Sequence, residues 1–309
     1  MMDVTVVMPT WNRPQFLPAA IESVFAQTVP IRELIIADDG SDAPTRAVLE
    51  TYAQMPRVRV LWRSHCGNPG AVRNGAIREA SGRYIAFADS DDVWCAGKLE
   101  RQFAVLLARP ECRWSYTSAS FIDAHGRPIA PPGDISPRPN FGPLIDLVAK
   151  FDAGVALPSV LVERALLFEA GLFDESLGCY EDYDLWLRMA SLSEAAAIGD
   201  ALVKLRQHDE HYSRRDPKDA LNAREDFLKR AIRLVQTPAV RTQLRRMRAL
   251  DSARLADLAA LAGDAGDTAL RLRSSIVDGW SMPRWWFIAA RAHSRLWNLR
   301  ARRKWEQWW

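Results

Sequence analysis

The chain opens on Val4-Thr5-Val6-Val7-Met8, an apolar, β-branched run that stops at Pro9. It is too short for a helix and predicts a buried strand. Beyond a turn at Asn12 to Pro14, the apolar residues Phe16, Leu17, Ala20, Ile21, Val24 and Phe25 recur at helical spacing and predict a helix packed on that strand. The unit then repeats. The pattern predicts a strand over 33–37, a helix over 45–54, a strand over 58–62, and a helix over 69–80 with Asn68 as its cap and Pro69 at its first position. Gly82 ends that helix and 84–88 predicts another strand. Such alternation implies an α/β fold, a mostly parallel sheet with helices on both faces.

Further along, residues 128–143 are rich in proline and glycine and predict an irregular loop able to lie over a site. A helix over 164–170, a turn at 171–175 and a helix starting at Glu181 follow. From about residue 216 the pattern is helical, with breaks at Pro238, 263–266 and 279–283. Charge divides the chain at the same place. Residues 1–214 carry 21 basic and 28 acidic side chains, and residues 215–309 carry 20 and 10, so a net +3 conceals −7 against +10. The expectation is an α/β domain over 1–214 followed by a basic, all-helical region over 215–309.

Cys66, Cys95, Cys112 and Cys179 lack the close pairing of metal ribbons or redox motifs and read as free thiols of a reducing compartment. No run of about 18 uncharged apolar residues occurs, and the N-terminus has no basic region with a cleavage site. A cytoplasmic protein is expected.

Ligands of such sheets sit beyond the carboxyl ends of the strands. Those ends carry Pro9-Thr10-Trp11-Asn12, Asp38-Asp39-Gly40-Ser41 and Asp89-Ser90-Asp91-Asp92. Three carboxylates within four positions repel unless a cation or N–H donors compensate them. Mg²⁺ or Mn²⁺ shared with a diphosphate would do so; the competing reading is a solvated turn capping a helix near Ala96. Asp39 could accept from a base imide or a ribose, or belong to a plain Asp-Gly turn. Trp11 could stack on a base or pack in the core, and Arg73 could pair with a phosphate or be an ordinary surface arginine.

Together, VVMPTWNR (6–13), LIIADDGSD (34–42), GNPGAVRNGAIREASGRYIAFADSDD (67–92) and GLFDESLGCYEDYDLWLR (171–188) resemble the family 2 glycosyltransferases in order and spacing over about 200 residues. The resemblance implies the GT-A nucleotide-sugar fold and an inverting, metal-dependent transfer of one sugar. Pro9, Thr10, Trp11, Arg13, Asp39, Arg73 and Asp89 would then bind the nucleotide, with Pro9 and Trp11 at the base and Arg73 near the ribose or phosphates. Asp89 and Asp91 match the acidic metal motif, and His208 falls where the family often places a histidine near the metal, with His211 close by. Asp182, beside Glu181, matches the general base, which must take the proton of a poorly nucleophilic hydroxyl; an acidic residue favouring the helix dipole is its structural alternative. Glu181 and Ser159 are expected on the acceptor side. The Gln-x-x-Arg-Trp motif of processive relatives is not found after Asp182, which implies single-sugar transfer. A UDP-sugar donor and a polysaccharide or lipid-linked acceptor are the expected partners. The alternatives are a nucleotide-sugar-binding scaffold without turnover and a nucleotidyltransferase; the first strand lacks the glycine-rich loop of the latter.

Residues 281–309 combine Trp285, Trp286, Trp297, Trp305, Trp308 and Trp309 with seven basic residues. On a helix, Arg284, Arg291, Arg295 and Arg302 fall near one face and Trp285, Ile288, Ala289, Ala292, Leu296 and Leu299 near another. Two readings stand: a peripheral helix at the inner face of the cytoplasmic membrane, or packing on the helices of 239–276. No nucleic-acid-binding motif accompanies the charge, so no nucleic-acid partner is expected.

Overall fold

The computed structural model describes residues 3–130, 143–208 and 217–306. Two compact units result, one of residues 1–177 with 181–212 and one of 178–180 with 213–309.

The first unit opens with β1 (Val4–Thr10), α1 (Leu17–Phe25), β2 (Glu33–Asp38), α2 (Ala43–Tyr52), β3 (Val58–Trp62), α3 (Pro69–Glu79) and β4 (Tyr84–Phe87). Strands β3, β2, β1 and β4 lie side by side and parallel. β2 is buried throughout and β1 at every position but Pro9, as strands covered on both faces require. Two helices begin where side chains replace missing backbone partners: Asp42 accepts from the Thr45 N–H and Asn68 from the Ala71 N–H, each at 3.0 Å. The Asp42 cap starts α2 two residues before the expected position.

Beyond β4 the order is β5 (Val93–Trp94), α4 (Lys98–Ala108), β6 (Cys112–Ile122), β7 (Pro128–Ile129), α5 (Leu144–Ala149), a 3₁₀ turn (Leu157–Ser159), β8 (Leu161–Glu163), α6 (Arg164–Glu169), α7 (Glu181–Ala190) and β9 (Glu194–Arg206). The sheet runs β3-β2-β1-β4-β8-β6-β9-β5, with β7 on β6. The short β8 is antiparallel to both β4 and β6, while β9 returns parallel to β6. The sheet is therefore mixed, not mostly parallel. After Asp89 to Asp92 comes β5, and α4 is preceded by Gly97 without a side-chain cap, so the acidic cluster does not serve as a helix cap.

An aromatic core anchors α7. Trp186 stacks on Trp114 with ring centres 5.7 Å apart and tilts on Phe87 at 6.1 Å, and Phe87 meets Phe173 edge-on at 5.6 Å. Buried Asp184, one turn before Arg188, accepts from its Nε at 2.9 Å. The start of α7 is thereby held against the sheet.

The second unit consists of α8 (Pro217–Leu234), α9 (Pro238–Leu261), α10 (Ala265–Gly279) and α11 (Pro283–Glu306). Its breaks follow the sequence: Pro238 opens α9, Gly263 turns at φ +81°, Asp264 caps α10 through the Asp267 N–H at 2.9 Å, and Pro283 opens α11. Trp285 and Ala289 pack on Ala249 and Ala253 of α9. Trp285 lies so close to Gly279 that a β-carbon there would enter its ring, and its Nε1 donates to the Ser275 hydroxyl at 3.0 Å. The apolar face of α11 is thus turned inward over its first turns. Among the described residues no helix is long and apolar enough to cross a membrane.

Candidate active site

The parallel register places the ends of β1 and β2 together, Thr10 beside Asp38. Asn12 takes a left-handed conformation, φ 51°, which asparagine tolerates better than most residues. Its N–H donates to the Ser41 hydroxyl at 3.0 Å and its side-chain carbonyl accepts from the Asp42 N–H at 2.8 Å, tying the two strand ends into one rim. Pro9 is part-buried in β1 and Thr10 is buried. Trp11 is 48% exposed, so it is not a core residue; its ring stacks on His65 with centres 4.8 Å apart and planes at 18°.

Asp39 is buried, and its carboxylate accepts from the N–H groups of Cys66 at 2.8 Å and Gly67 at 3.0 Å, with His65 Nδ1 2.9 Å away. It therefore shapes the loop that carries His65. At Gly40 the backbone turns at φ +71°, and a β-carbon there would lie 2.6 Å from the His65 backbone nitrogen.

Arg73 is buried, which corrects the reading of it as a surface arginine. It donates to Asp89 at 2.9 Å, approaches Glu181 at 3.5 Å, and lies over the Phe173 ring at 5.7 Å. On the next residue, Asn74 donates to the Phe173 carbonyl at 2.9 Å and accepts from the Phe173 N–H at 3.0 Å. Helix α3 is thus fastened to the 171–175 turn ahead of α7.

The carboxylates after β4 are compensated one by one. Asp89 has Arg73. Asp91 is ion-paired with Arg13, and His208 Nε2 stands 3.0 Å from Asp91 Oδ2 and 3.1 Å from Arg13 Nη1. Asp92 accepts from the Arg206 N–H at 2.8 Å; burial first and the Asp89 charge second push its carboxyl well above the usual range. Arg206, at the end of β9, also donates its Nε to the Asp91 carbonyl at 2.8 Å and lies over the Phe16 ring at 5.0 Å. Among the described residues, no group of three His, Cys, Asp or Glu side chains is arranged to hold a metal. Asp91 and His208 nevertheless bring a carboxylate oxygen and an imidazole nitrogen together, a donor pair that suits a divalent cation with further ligands from a diphosphate.

At the start of α7, Asp182 is part-buried and accepts from the Tyr183 N–H at 2.8 Å. Burial, reinforced by the neighbouring Glu181 charge, pushes its carboxyl up to about 7. Glu181, next to Asp182 in the chain, meets Arg73, which donates to Asp89, so the start of α7 and the acidic strand end share one network. Ser159 is fully buried: its hydroxyl donates to the Ala156 carbonyl at 2.6 Å and its carbonyl accepts from the Gln102 amide at 2.9 Å. That hydroxyl is engaged in the 3₁₀ turn. His211 and most of the proline-rich loop, residues 131–142, lie outside the described residues.

Sequence reasoning passed over His65 and Arg206. An aromatic histidine between a strand and the Asn68 cap was a faint signal for the first; nothing local marked the second, which meets Asp91 and Asp92 from more than 100 residues away.

Residues 5–116 match the sequence model described as "Glycosyl transferase family 2". The chain is 30% identical over 203 residues to the Escherichia coli UDP-Glc:alpha-D-GlcNAc-diphosphoundecaprenol beta-1,3-glucosyltransferase WfgD, covering 65% of this chain and 74% of that protein. An uncharacterized glycosyltransferase of Rickettsia felis is 32% identical over 203 residues, covering 66% of this chain and 33% of that one. The chain thus spans three quarters of one curated relative and a third of the other. Among solved structures, S. aureus TarS 1–349 in complex with UDP-GlcNAc superimposes with a TM-score of 0.69 at 18% identity, covering 96% of this chain and 90% of TarS 1–349. The mannosyltransferase PcManGT from Pyrobaculum calidifontis, in complex with GDP-Man and Mn²⁺, gives 0.59 at 17% identity, covering 98% and 87%. At these identities the likeness concerns the fold, which is GT-A.

Proposed function

The chain belongs to glycosyl transferase family 2 and is a glycosyltransferase; from that premise we propose that it transfers a single sugar, with inversion, from a UDP-sugar to a hydroxyl of a lipid-linked or polysaccharide glycan. The observation that carries the mechanism is Asp182, a part-buried carboxylate raised to about 7 and joined through Glu181 and Arg73 to the acidic end of β4.

A carboxylate titrating near neutrality can take a hydroxyl proton and still be ionised often enough to act. Asp182 removes that proton as the acceptor oxygen forms its bond to the anomeric carbon. The bond from that carbon to the diphosphate breaks, its electron pair leaves with the diphosphate, and attack opposite the leaving group inverts the centre. Arg13 and Arg73 hold the carboxylates of this edge and offer positive charge to the phosphates. Asp91 and His208 would hold Mn²⁺ or Mg²⁺, which when bound neutralises charge on the departing diphosphate. Half-exposed Trp11, braced by His65, offers a flat surface to the base. Asp39 keeps lone pairs beyond those used by Cys66 and Gly67 and can read the base edge.

UDP is supported by the relative acting with UDP-Glc and by the TarS complex with UDP-GlcNAc. A lipid-linked acceptor is supported by the diphosphoundecaprenol acceptor of that same relative. Four free cysteines suit a cytoplasmic site of action, at the membrane face where such an acceptor is presented.

The test is UDP release from a panel of UDP-sugars with a polyprenyl-diphosphate sugar as acceptor, in Mn²⁺, Mg²⁺ or EDTA, beside a thermal-shift series with UDP-, GDP- and dTDP-sugars. A donor at about 100 times its dissociation constant stabilises by about 2.7 kcal/mol. Acceptor-dependent release of UDP is expected. Donor-induced stabilisation without release under any condition would instead identify a nucleotide-sugar-binding scaffold.

A further inference from the structure

The basic helical unit exposes an apolar corner that its own packing does not explain. At the end of α10 and the start of α11, Val277 is 85% exposed, Phe287 72%, Trp280 60% and Trp286 44%. Scattered apolar residues of this size are ordinary on a protein surface, whereas a contiguous set marks an interaction site. Trp280 and Trp286 form one such set, and Val277 and Phe287 flank it along the chain. Val277 stands one turn before Trp280 on α10. Trp280 and Trp286 meet edge-on with ring centres 4.6 Å apart, and Trp286 Nε1 donates to the Trp280 carbonyl at 2.8 Å. Phe287 follows directly.

Most of the remaining apolar surface of these turns is already used. Trp285, Ala289 and Ala292 are buried, and Arg291 and Arg295 are ion-paired with Asp257 on α9. An interfacial helix lying on the Trp285 face would have to abandon that packing; the corner is available without any rearrangement.

We propose that this corner docks on the surface of an anionic lipid bilayer, with Val277, Trp280, Trp286 and Phe287 entering the headgroup boundary. Its chemistry fits that partner in three ways. Indole rings favour the zone where an apolar body meets a wet edge. The Trp286 N–H is already bonded within the corner, so immersing its ring leaves that donor satisfied. Exposed Arg273 lies one turn before Val277 and exposed Arg284 one turn before Phe287, placing guanidinium groups beside the apolar residues. Residues 215–309 as a whole carry net +10, which draws the unit to anionic headgroups and opposes a second copy on the same face.

The experiment uses the full chain and vesicles of phosphatidylcholine alone or with anionic phosphatidylglycerol added to give a negative surface. Wild type should co-sediment with the anionic vesicles, weaken with salt, and lose about tenfold or more of its binding in W280S/F287S. It should lose binding similarly in R273E/R284E. These positions are exposed, so unchanged circular dichroism and an unchanged donor-induced thermal shift certify folded variants. Independently of any substitution, brominated lipid should quench part of the wild-type tryptophan fluorescence. Equal sedimentation of wild type and both variants, or absence of quenching, overturns the proposal. So does a concentration-dependent dimer in lipid-free buffer that W280S/F287S dissolves, because a second copy would then cover the corner. No step requires transferase activity, so failure here and failure of the proposed reaction are separable.

Discussion

Arg73 donates to Asp89 at 2.9 Å from inside the protein, joining helix α3 to the acidic end of β4, and its other guanidinium nitrogen reaches Glu181 at the start of α7. Three segments of the chain meet at that one side chain. Its rigid planar fork spans two carboxylates in a fixed geometry that the compact, rotatable ammonium of a lysine does not reproduce.

Arg73→Ala should therefore lower unfolding stability by about 1–3 kcal/mol, the usual cost of leaving part-buried polar groups without partners, and reduce transfer by more than that loss explains. Arg73→Lys should restore stability better than activity. Urea denaturation beside steady-state kinetics checks both; wild-type turnover in Arg73→Ala would remove it from the site.

Asp182→Asn should keep donor affinity while slowing transfer about 100-fold or more, the size of a lost general base. With the carboxyl raised to about 7, wild-type turnover should fall as pH drops through that value, and Asp182→Asn should lose this limb.

The same raised value makes a stability prediction of definite sign. Between the ordinary aspartate range and about 7, the folded protein holds a proton on Asp182 that the unfolded chain has released, so this stabilisation is present at low pH and lost as pH rises through about 7. Asp182→Asn should be more stable than wild type at pH 8, by roughly 1–3 kcal/mol, and nearly equal to it at pH 4. A variant less stable at both would show that the carboxylate is satisfied in its ionised form.

Gly40→Ala should disturb the base-side rim through the backbone of the loop that carries His65. The positive φ and the 2.6 Å approach to the His65 backbone nitrogen act together, so a loss of about 1–3 kcal/mol is expected. Donor binding should weaken with it, because His65 would no longer brace Trp11. Calorimetric titration with UDP resolves the second effect from the first.

EDTA should reduce the thermal shift produced by a UDP-sugar, and Asp91→Asn should make that shift insensitive to EDTA. His208→Ala should weaken the response to Mn²⁺ without removing UDP binding entirely. A wild-type shift indifferent to chelation would assign Asp91 and His208 to holding Arg13 alone.

The first seven elements were legible in the chain because each is specified by a local period: β-branched runs for the strands, apolar spacing and caps for α1 to α3. The same holds for the breaks of the helical unit at Pro238, Gly263 and Pro283. The centre of the sheet was not legible. Strand β8 has three residues, too few to show an alternation, and β6 pairs with β9 across some 80 residues, a choice made by packing around Trp114 and Trp186.

The candidate site divides along the same line. Short motifs determined which residue types stand at the strand ends, among them Asp39, Asp89 and Asp91, and at the start of α7, the Glu181-Asp182 pair. Only the tertiary structure decided their partners: Arg73 inside the protein rather than on its surface, Arg206 arriving from β9 at Asp91 and Asp92, and His65 against Trp11. In the helical unit, the sequence determined a basic, tryptophan-rich helix, and folding decided which tryptophans it keeps. Trp285 is drawn inward because Gly279 leaves room for its ring, while Trp280 and Trp286 remain outside. Periodicity and motif are local properties that a chain carries before it folds; burial and partnership arise only when distant segments compete for the same space.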